Sequence, residues 1–358
     1  MIAAGCRSHG KRFNQRSLSM TARHRNLSDL RACRVLVSST TFGIQDPALR
    51  SRLEQEVGDV RYNSEKRSLK APELTHLVIG IDGWIAGLDE IDASVIAAAD
   101  RLKVIARYGV GFDRVDVAAA TKRGIVVTNT PGANSAAVAE LTIGLMLALG
   151  RQICQSDQAV RRGQWPRYSG AGLGGKTVGL VGFGSIGREV ARRLAVFQCR
   201  VLVADPYVSP DVVSGCGASR VSLDELLPAS DFVCLHAAST PETAGMVNDS
   251  FLRKMRSGAF LVNTARGELI DEAALRQSLE SGRLRGAALD CFSKEPPGAD
   301  HPLLQLPQVI VTPHTGAHTD EAVNAMGRMA LDACLAVLRG ERPAHIVNPD
   351  VYTGMNDL

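Results

Sequence analysis

The stretch VGFGSIGREVARRL, residues 181–194, decides how the fold is read. It carries the spacing G-x-G-x-x-G at Gly182, Gly184 and Gly187. The spacing alone is a weak sign, because 34 of the 358 residues are glycine and tight turns use them freely. The flanks supply the meaning. Upstream, TVGLVG from Thr177 is a short β-rich run behind the loop-like GLGGK. Downstream, Ile186, Val190, Leu194 and Phe197 recur at helical spacing with charged residues between them. The next apolar run, RVLVAD, ends at Asp205. Strand, turn, helix and strand make a βαβ unit.

Each part of such a unit has a physical task. Gly182 permits the tight turn, Gly184 lets the backbone approach a pyrophosphate, and Gly187 lets helix and strand pack closely. The helix start offers free N–H groups and its positive end to phosphate. Asp205, at the end of the second strand, is placed to accept hydrogen bonds from adenosine ribose hydroxyls. A 2′-phosphate there would meet like charge, so NAD is expected rather than NADP.

The pattern continues in both directions. DFVCLH, GAFLVNT, GAALD and QVIVTP read as strands alternating with helical stretches such as DEAALRQSLESG, the order a doubly wound parallel sheet requires. His236, Arg266, Asp290 and His314 follow these runs, at the carboxyl ends where ligands collect. Before the fingerprint, RVLVSS, THLVIG, RLKVIARYG and RGIVVTNT are further strand candidates. LTIGLMLALGRQI, from Leu141, is too short to span a bilayer and reads as a buried interdomain or interface helix. The expected class is α/β, with two Rossmann-like, doubly wound parallel sheets and a cleft between them.

Composition narrows the function. A chain that is 45% hydrophobic over 358 residues can bury two sizeable cores. With 41 basic and 37 acidic residues the charge is nearly balanced, so no nucleic-acid surface is implied. No long uncharged apolar run supports secretion or a membrane. From Met1 to Leu27 there are six Lys or Arg and no Asp or Glu. This segment, 1–27, reads as a basic, disordered extension; an organelle presequence, or translation upstream of a start at Met20, would have the same composition. The eight cysteines never form C-x-x-C and suit a reduced, cytoplasmic setting, and the scattered histidines offer no metal site.

Taken together, RYGVGFDRVD, TNTPGANSAAVAELT, VGFGSIG, LHAASTPETAGMVN, NTARGELIDEAAL, GAALDCFSKEP and VTPHTGAHT occur in the order found in D-isomer-specific 2-hydroxyacid dehydrogenases, which the chain resembles from about residue 35 to 350. The tail LRGERPAHIVNPDV looks most like the phosphoglycerate dehydrogenase branch without its common C-terminal regulatory domain. The resemblance implies a substrate domain from 28–130 plus 318–350, with an NAD-binding domain, 131–317, inserted into it. It also implies a catalytic set of Arg266, Glu295 and His314, and substrate-carboxylate binding by the Val110 and Gly111 amides together with Arg266. Ser185, Ile186, His236, Thr240, Ala265, Asp290 and Gly316 fall on cofactor-lining positions. A homodimer is expected, with Leu141 to Leu149 as candidate interface.

The chemistry gives these residue types independent reasons. Hydride transfer to a 2-keto group leaves negative charge on oxygen, and imidazole exchanges a proton near neutrality. His314 is therefore the general acid in reduction and the general base in oxidation. Glu295 can hold its tautomer and favour the protonated ring. Arg266 can grip a carboxylate and polarise the keto oxygen. The nicotinamide carries the hydride.

One segment departs from the resemblance. Phosphoglycerate dehydrogenases often carry an arginine before the RYG strand that holds the substrate phosphate. Here VIGIDGWIAGLDEI offers Asp82, Asp89 and Glu90 instead. Either Arg107 or another loop or subunit compensates, or the substrate is an unphosphorylated acid such as hydroxypyruvate or glyoxylate. An NADH-sensing corepressor would share this architecture and keep the catalytic trio.

Overall fold

The computed structural model describes residues 30–353, so the basic head lies outside the described residues. Strands β1 (Arg34–Val37), β2 (Asp59–Tyr62), β3 (Gly83–Ala86), β4 (Val104–Arg107) and β5 (Val126–Thr128) form one parallel sheet in the order β2-β1-β3-β4-β5. A second parallel sheet holds β6 (Thr177–Val181), β7 (Arg200–Ala204), β8 (Ser219–Arg220), β9 (Phe232–Leu235), β10 (Ala259–Asn263), β11 (Leu284–Leu289) and β12 (Val309–Val311). Its order is β12-β11-β10-β9-β6-β7-β8. Every residue of β3, β4, β9 and β10 is buried, as strands covered by helices on both faces must be. Strand order reverses between β1 and β3 and between β6 and β9, so each sheet opens a crevice at its strands' carboxyl ends. The class is α/β with two Rossmann-like domains.

Two long helices carry the chain between the sheets. Helix Ser135–Arg151 leaves β5 and packs along helix Ser185–Val196 and onto β10 and β11. Helix Asp320–Leu338 leaves the second sheet and returns to β3, β4 and β5. The tail is then pinned by buried Asn348. Its Oδ1 accepts the Val127 N–H at 2.8 Å, and its Nδ2 donates to the Ile125 carbonyl at 2.9 Å and to Thr121 Oγ1 at 3.0 Å.

One sequence expectation changes here. THLVIG is not a strand: helix Ala71–Leu77 runs into it, and the chain turns at Gly80 before the true strand, GWIA. Pro72 in the first helical turn and the Glu73 carboxylate, which accepts the Lys70 N–H at 2.9 Å, start a helix that the apolar run alone does not reveal. The apolar stretch Leu141 to Leu149 is a buried helix, as its composition indicates. Ile143, Leu145, Met146 and Leu149 are buried with Leu180, Phe232 and Phe260 in the core of the second sheet. The helix ends at Gln152, whose φ of +51° is left-handed, and the exposed apolar residues Ile153, Val160, Trp165 and Tyr168 lie beyond that break. Among the described residues no single helix is long and apolar enough to cross a membrane.

Asn348→Ala leaves the buried Val127 N–H and Ile125 carbonyl without their partner. It is expected to cost about 2–3 kcal/mol, read as a lowered urea midpoint with unchanged slope.

Candidate active site

The glycine turn is built by contacts within the chain. Gly182 has φ +92°, and a Cβ there would stand 2.6 Å from Ala237 N and from His236 C. A Cβ at Gly187 would lie 2.7 Å from Gly182 O, so helix and turn meet through it. Gly184 differs: its φ of −69° suits any residue, and a Cβ would meet nothing within 4 Å. Nothing in the chain requires glycine there, whereas a ligand pressed against the backbone would. The helix that follows opens with exposed Ser185 and partly buried Ile186, and no side chain caps it. These free donors and the open space fit a pyrophosphate. Asp205 ties the end of β7 to the turn, its Oδ2 accepting the Phe183 N–H at 2.7 Å and its Oδ1 the Tyr207 N–H at 2.8 Å.

Across the switch point, His236 follows β9 with both ring nitrogens buried and without a partner among the described residues. Burial pushes its pKa down to about 4. Thr240 lies on the exposed loop that follows, its N–H donating to Thr243 Oγ1 at 2.8 Å.

The strand-end loops bring Glu295 and His314 into contact, and the adjacent residues Asp113 and Arg114 bond to Arg266 and to Glu295 respectively. His314 Nδ1 lies 2.8 Å from Glu295 Oε1 and 2.9 Å from Oε2. Glu295 also accepts the Phe292 N–H at 3.2 Å and Arg114 Nη2 at 3.4 Å. Burial works against its charge, but the His314 hydrogen bond and charge, helped by Phe292 and Arg114, hold the carboxyl below its usual range.

His314 has a left-handed φ of +53°, unfavourable for a residue with a side chain. Buried Asp290 sustains it. The Asp290 carbonyl accepts the His314 N–H at 2.7 Å, while its carboxylate accepts Thr312 Oγ1 at 2.6 Å, the Thr315 N–H at 2.8 Å and the Gly316 N–H at 2.9 Å. Asp290 and Gly316 are thus bonded to each other at the base of the histidine loop.

Arg266 lies on the loop after β10. Its Nε donates to Asp113 at 3.1 Å and its Nη1 to the Ala265 carbonyl at 2.8 Å, while Nη2 lies over Gly111, where a Cβ would come within 1.6 Å. Arginine and the Val110–Gly111 loop therefore share one space, which only glycine leaves free. Asn263, at the end of β10, shapes the arginine loop: its Nδ2 donates to the Arg266 carbonyl at 2.7 Å, and its Oδ1 accepts the Ala265 N–H at 3.0 Å. Asn263, Asp113 and Arg114 escape sequence reasoning. The available signals were a polar residue closing the apolar run AFLVN and a pair of opposite charges beside YGVGF.

Arg107, weighed as a phosphate ligand, and the acidic residues that stand in place of the missing arginine are engaged elsewhere. Arg107 is 2% exposed, with Nε on the Gly111 carbonyl at 3.2 Å and Nη1 on the Ala86 carbonyl at 2.8 Å, and burial lowers its pKa to about 10. It supports the loop from below and does not reach the cleft. Asp82 accepts from Arg101 and the Arg34 N–H. Buried Asp89 accepts from Ser38, Leu69 and Gly87. Glu90 pairs with Lys70 at 2.8 Å.

The class defined by this fold and site is a two-domain Rossmann protein, with a dinucleotide-ready glycine turn and an imidazole–carboxylate pair facing an arginine. Residues 143–316 match the model of the D-isomer specific 2-hydroxyacid dehydrogenase, NAD binding domain. The chain is 44% identical over 270 residues to a glyoxylate reductase of Thermofilum pendens, a match covering 74% of this chain and 80% of that protein. It is 42% identical over 292 residues to a D-3-phosphoglycerate dehydrogenase of Mycobacterium leprae, covering 80% of this chain and 55% of the relative. A Thermus thermophilus protein known by its crystal structure superposes with a TM-score of 0.78 at 40% identity, over 88% of this chain and 99% of that one. The chain belongs to the D-isomer specific 2-hydroxyacid dehydrogenase family. It spans about half the length of the phosphoglycerate dehydrogenases it matches.

The buried His236 ring gives this site a pH signature. Its folded pKa of about 4 lies below the ordinary value of 6.5, so between them the unfolded chain binds a proton that the native chain refuses. Stability therefore falls as pH drops through that window, by up to about 2 kcal/mol at pH 5 from this group. In His236→Gln, the fall in Tm between pH 7 and pH 5 should be smaller than in the wild type.

Proposed function

We propose that the chain interconverts a D-2-hydroxy acid and its 2-keto acid with NAD as redox partner. The observation that carries this reading is the Glu295–His314 hydrogen bond at 2.8 Å, with Arg266 and the Gly111 loop on the facing side of the cleft. The glycine turn with Ser185 and Ile186 would hold the pyrophosphate, and Asp205 the ribose. His236, Thr240, Ala265, Asp290 and Gly316 are the proposed lining towards the nicotinamide. When bound there, NAD would supply the hydride acceptor and NADH the hydride donor.

The chain's own residues do the rest. Arg266 Nη2 and the Val110 and Gly111 amides orient the substrate carboxylate, and the guanidinium polarises the keto oxygen. Glu295 on Nδ1 leaves His314 Nε2 as the nitrogen that gives the proton to that oxygen in reduction and removes it in oxidation. Glu295 holds the ring's tautomer and balances its charge in the protonated state.

Likeness to phosphoglycerate dehydrogenases supports a phosphorylated substrate. A specific observation favours the second reading, an unphosphorylated acid: Arg107 points inward, and Lys70 is paired with Glu90. A second copy of the chain is the proposed partner, through Ile153, Val160, Trp165 and Tyr168, which leave apolar surface exposed. The free cysteines support a reducing, cytoplasmic setting.

Initial rates of NADH oxidation on 3-phosphohydroxypyruvate, hydroxypyruvate, glyoxylate and pyruvate test the reading. A higher kcat/KM for hydroxypyruvate or glyoxylate than for the phosphorylated acid is the outcome the charges favour; the reverse assigns the enzyme to 3-phosphoglycerate, and inactivity on all four overturns the proposal. His314→Gln should lower kcat by about 10²–10⁴ while NADH binding persists. Light scattering should give a mass twice that of the chain, and Trp165→Glu should lower it.

A further inference from the structure

Two adjacent residues of opposite charge, in the loop after β4, reach across to the two catalytic groups of opposite charge. Asp113 Oδ1 accepts Arg266 Nε at 3.1 Å, and Arg114 Nη2 donates to Glu295 Oε2 at 3.4 Å. The partners lie 153 and 181 positions away, in loops after β10 and β11 of the other sheet. The four side chains are only 18–26% exposed, so solvent screens these pairs less than surface ones. The same loop carries Val110 and Gly111, and buried Arg107 fixes its shape through the Gly111 carbonyl.

We propose that Asp113 and Arg114 are positioning residues that make the substrate-binding loop of one domain part of the acid–base machinery of the other. The proposal rests on the dehydrogenase reading above. Asp113 holds the Nε edge of Arg266 while the Ala265 carbonyl holds Nη1, which leaves Nη2 over Gly111 as the free edge for a substrate carboxylate. Arg114 shares the Glu295 carboxylate with His314 and offsets part of the negative charge that would keep a proton on the ring.

The groups around His314 set the sign. Glu295 lies on Nδ1, Asp290 lies beneath the backbone, Arg114 stands behind Glu295, His318 follows three residues after Thr315, and Glu268, from the loop after β10, lines the same pocket as Glu295 and Arg114. Removing the Arg114 charge leaves the ring in more negative surroundings, so it keeps its proton to a higher pH. Asp113 faces the same question from the other side. Burial, the largest single influence, disfavours its charge, but the charge and hydrogen bond of Arg266, a backbone hydrogen bond and the charge of Arg107 together hold the Asp113 carboxyl below its usual range.

The test is an NMR titration of the His314 ring, its signals assigned by their absence in His314→Gln, in wild type, Arg114→Gln and Arg114→Lys. Arg114→Gln should titrate about half a pH unit or more above wild type, with Arg114→Lys close to wild type. The alkaline limb of kcat/KM for keto-acid reduction should move with it. Should Arg114→Gln not fold, Arg114→Met gives the same comparison. A midpoint for the neutral variants equal to wild type overturns the role of Arg114, whatever happens to thermal stability. Asp113→Asn should raise KM for the keto acid about tenfold with kcat changed less than threefold; an unchanged KM overturns the role of Asp113. The titration needs no turnover, so inactivity of the wild type on every acid would defeat the dehydrogenase reading while leaving the Arg114 shift to be judged on its own.

Discussion

The carboxylate of Asp290 is the constraint on which the site depends. It is buried, and a buried carboxylate persists only when its oxygens are satisfied. Thr312, Thr315 and Gly316 satisfy them, and the Asp290 carbonyl takes the His314 N–H. That set of bonds over-determines the turn 312–316 and so sustains the left-handed backbone of His314. Once the backbone is fixed, the imidazole can meet Glu295, which stands in the same loop after β11 that begins with Asp290. A single strand end therefore supplies both the brace and the carboxylate of the Glu295–His314 pair.

The same economy runs through the facing side. Arg107 spends its buried guanidinium on two carbonyls, which shapes the Gly111 loop, and that loop in turn receives Arg266. Asn263 shapes the Arg266 loop from the other sheet. The Arg266 and His314 loops are thus each held by a buried polar residue at the carboxyl end of a parallel strand, Asn263 after β10 and Asp290 after β11. Parallel sheets favour this arrangement, because all strand ends on one edge point toward the same crevice.

Much of this was legible. The glycine fingerprint, Asp205 and the alternation of short apolar runs with helical stretches indicated the second sheet, because parallel strands buried on both faces carry a distinctive run of apolar residues. Other elements were not. THLVIG looks like a strand, yet the capping contact of Glu73 and the position of Pro72 make its start helical. Leu141 to Leu149 is legible as a buried helix, but not its packing beside Phe232 and Phe260. Hydrophobicity alone reports that a segment is buried, not by what.

The sequence by itself determined the fold class, the glycine turn and the identity of the strand-end residues, because these follow from local periodicity and from residue types whose roles are set by backbone geometry. The tertiary structure alone decided which polar groups meet. Asp290 beneath His314, Arg107 turned inward, and Asp113 and Arg114 against Arg266 and Glu295 are contacts between residues that lie far apart in the chain or whose side-chain direction no periodicity encodes. Whether a charge braces a loop, faces a substrate or pairs with another charge depends on burial and on the partner brought to it, and the packing of the two sheets supplies both.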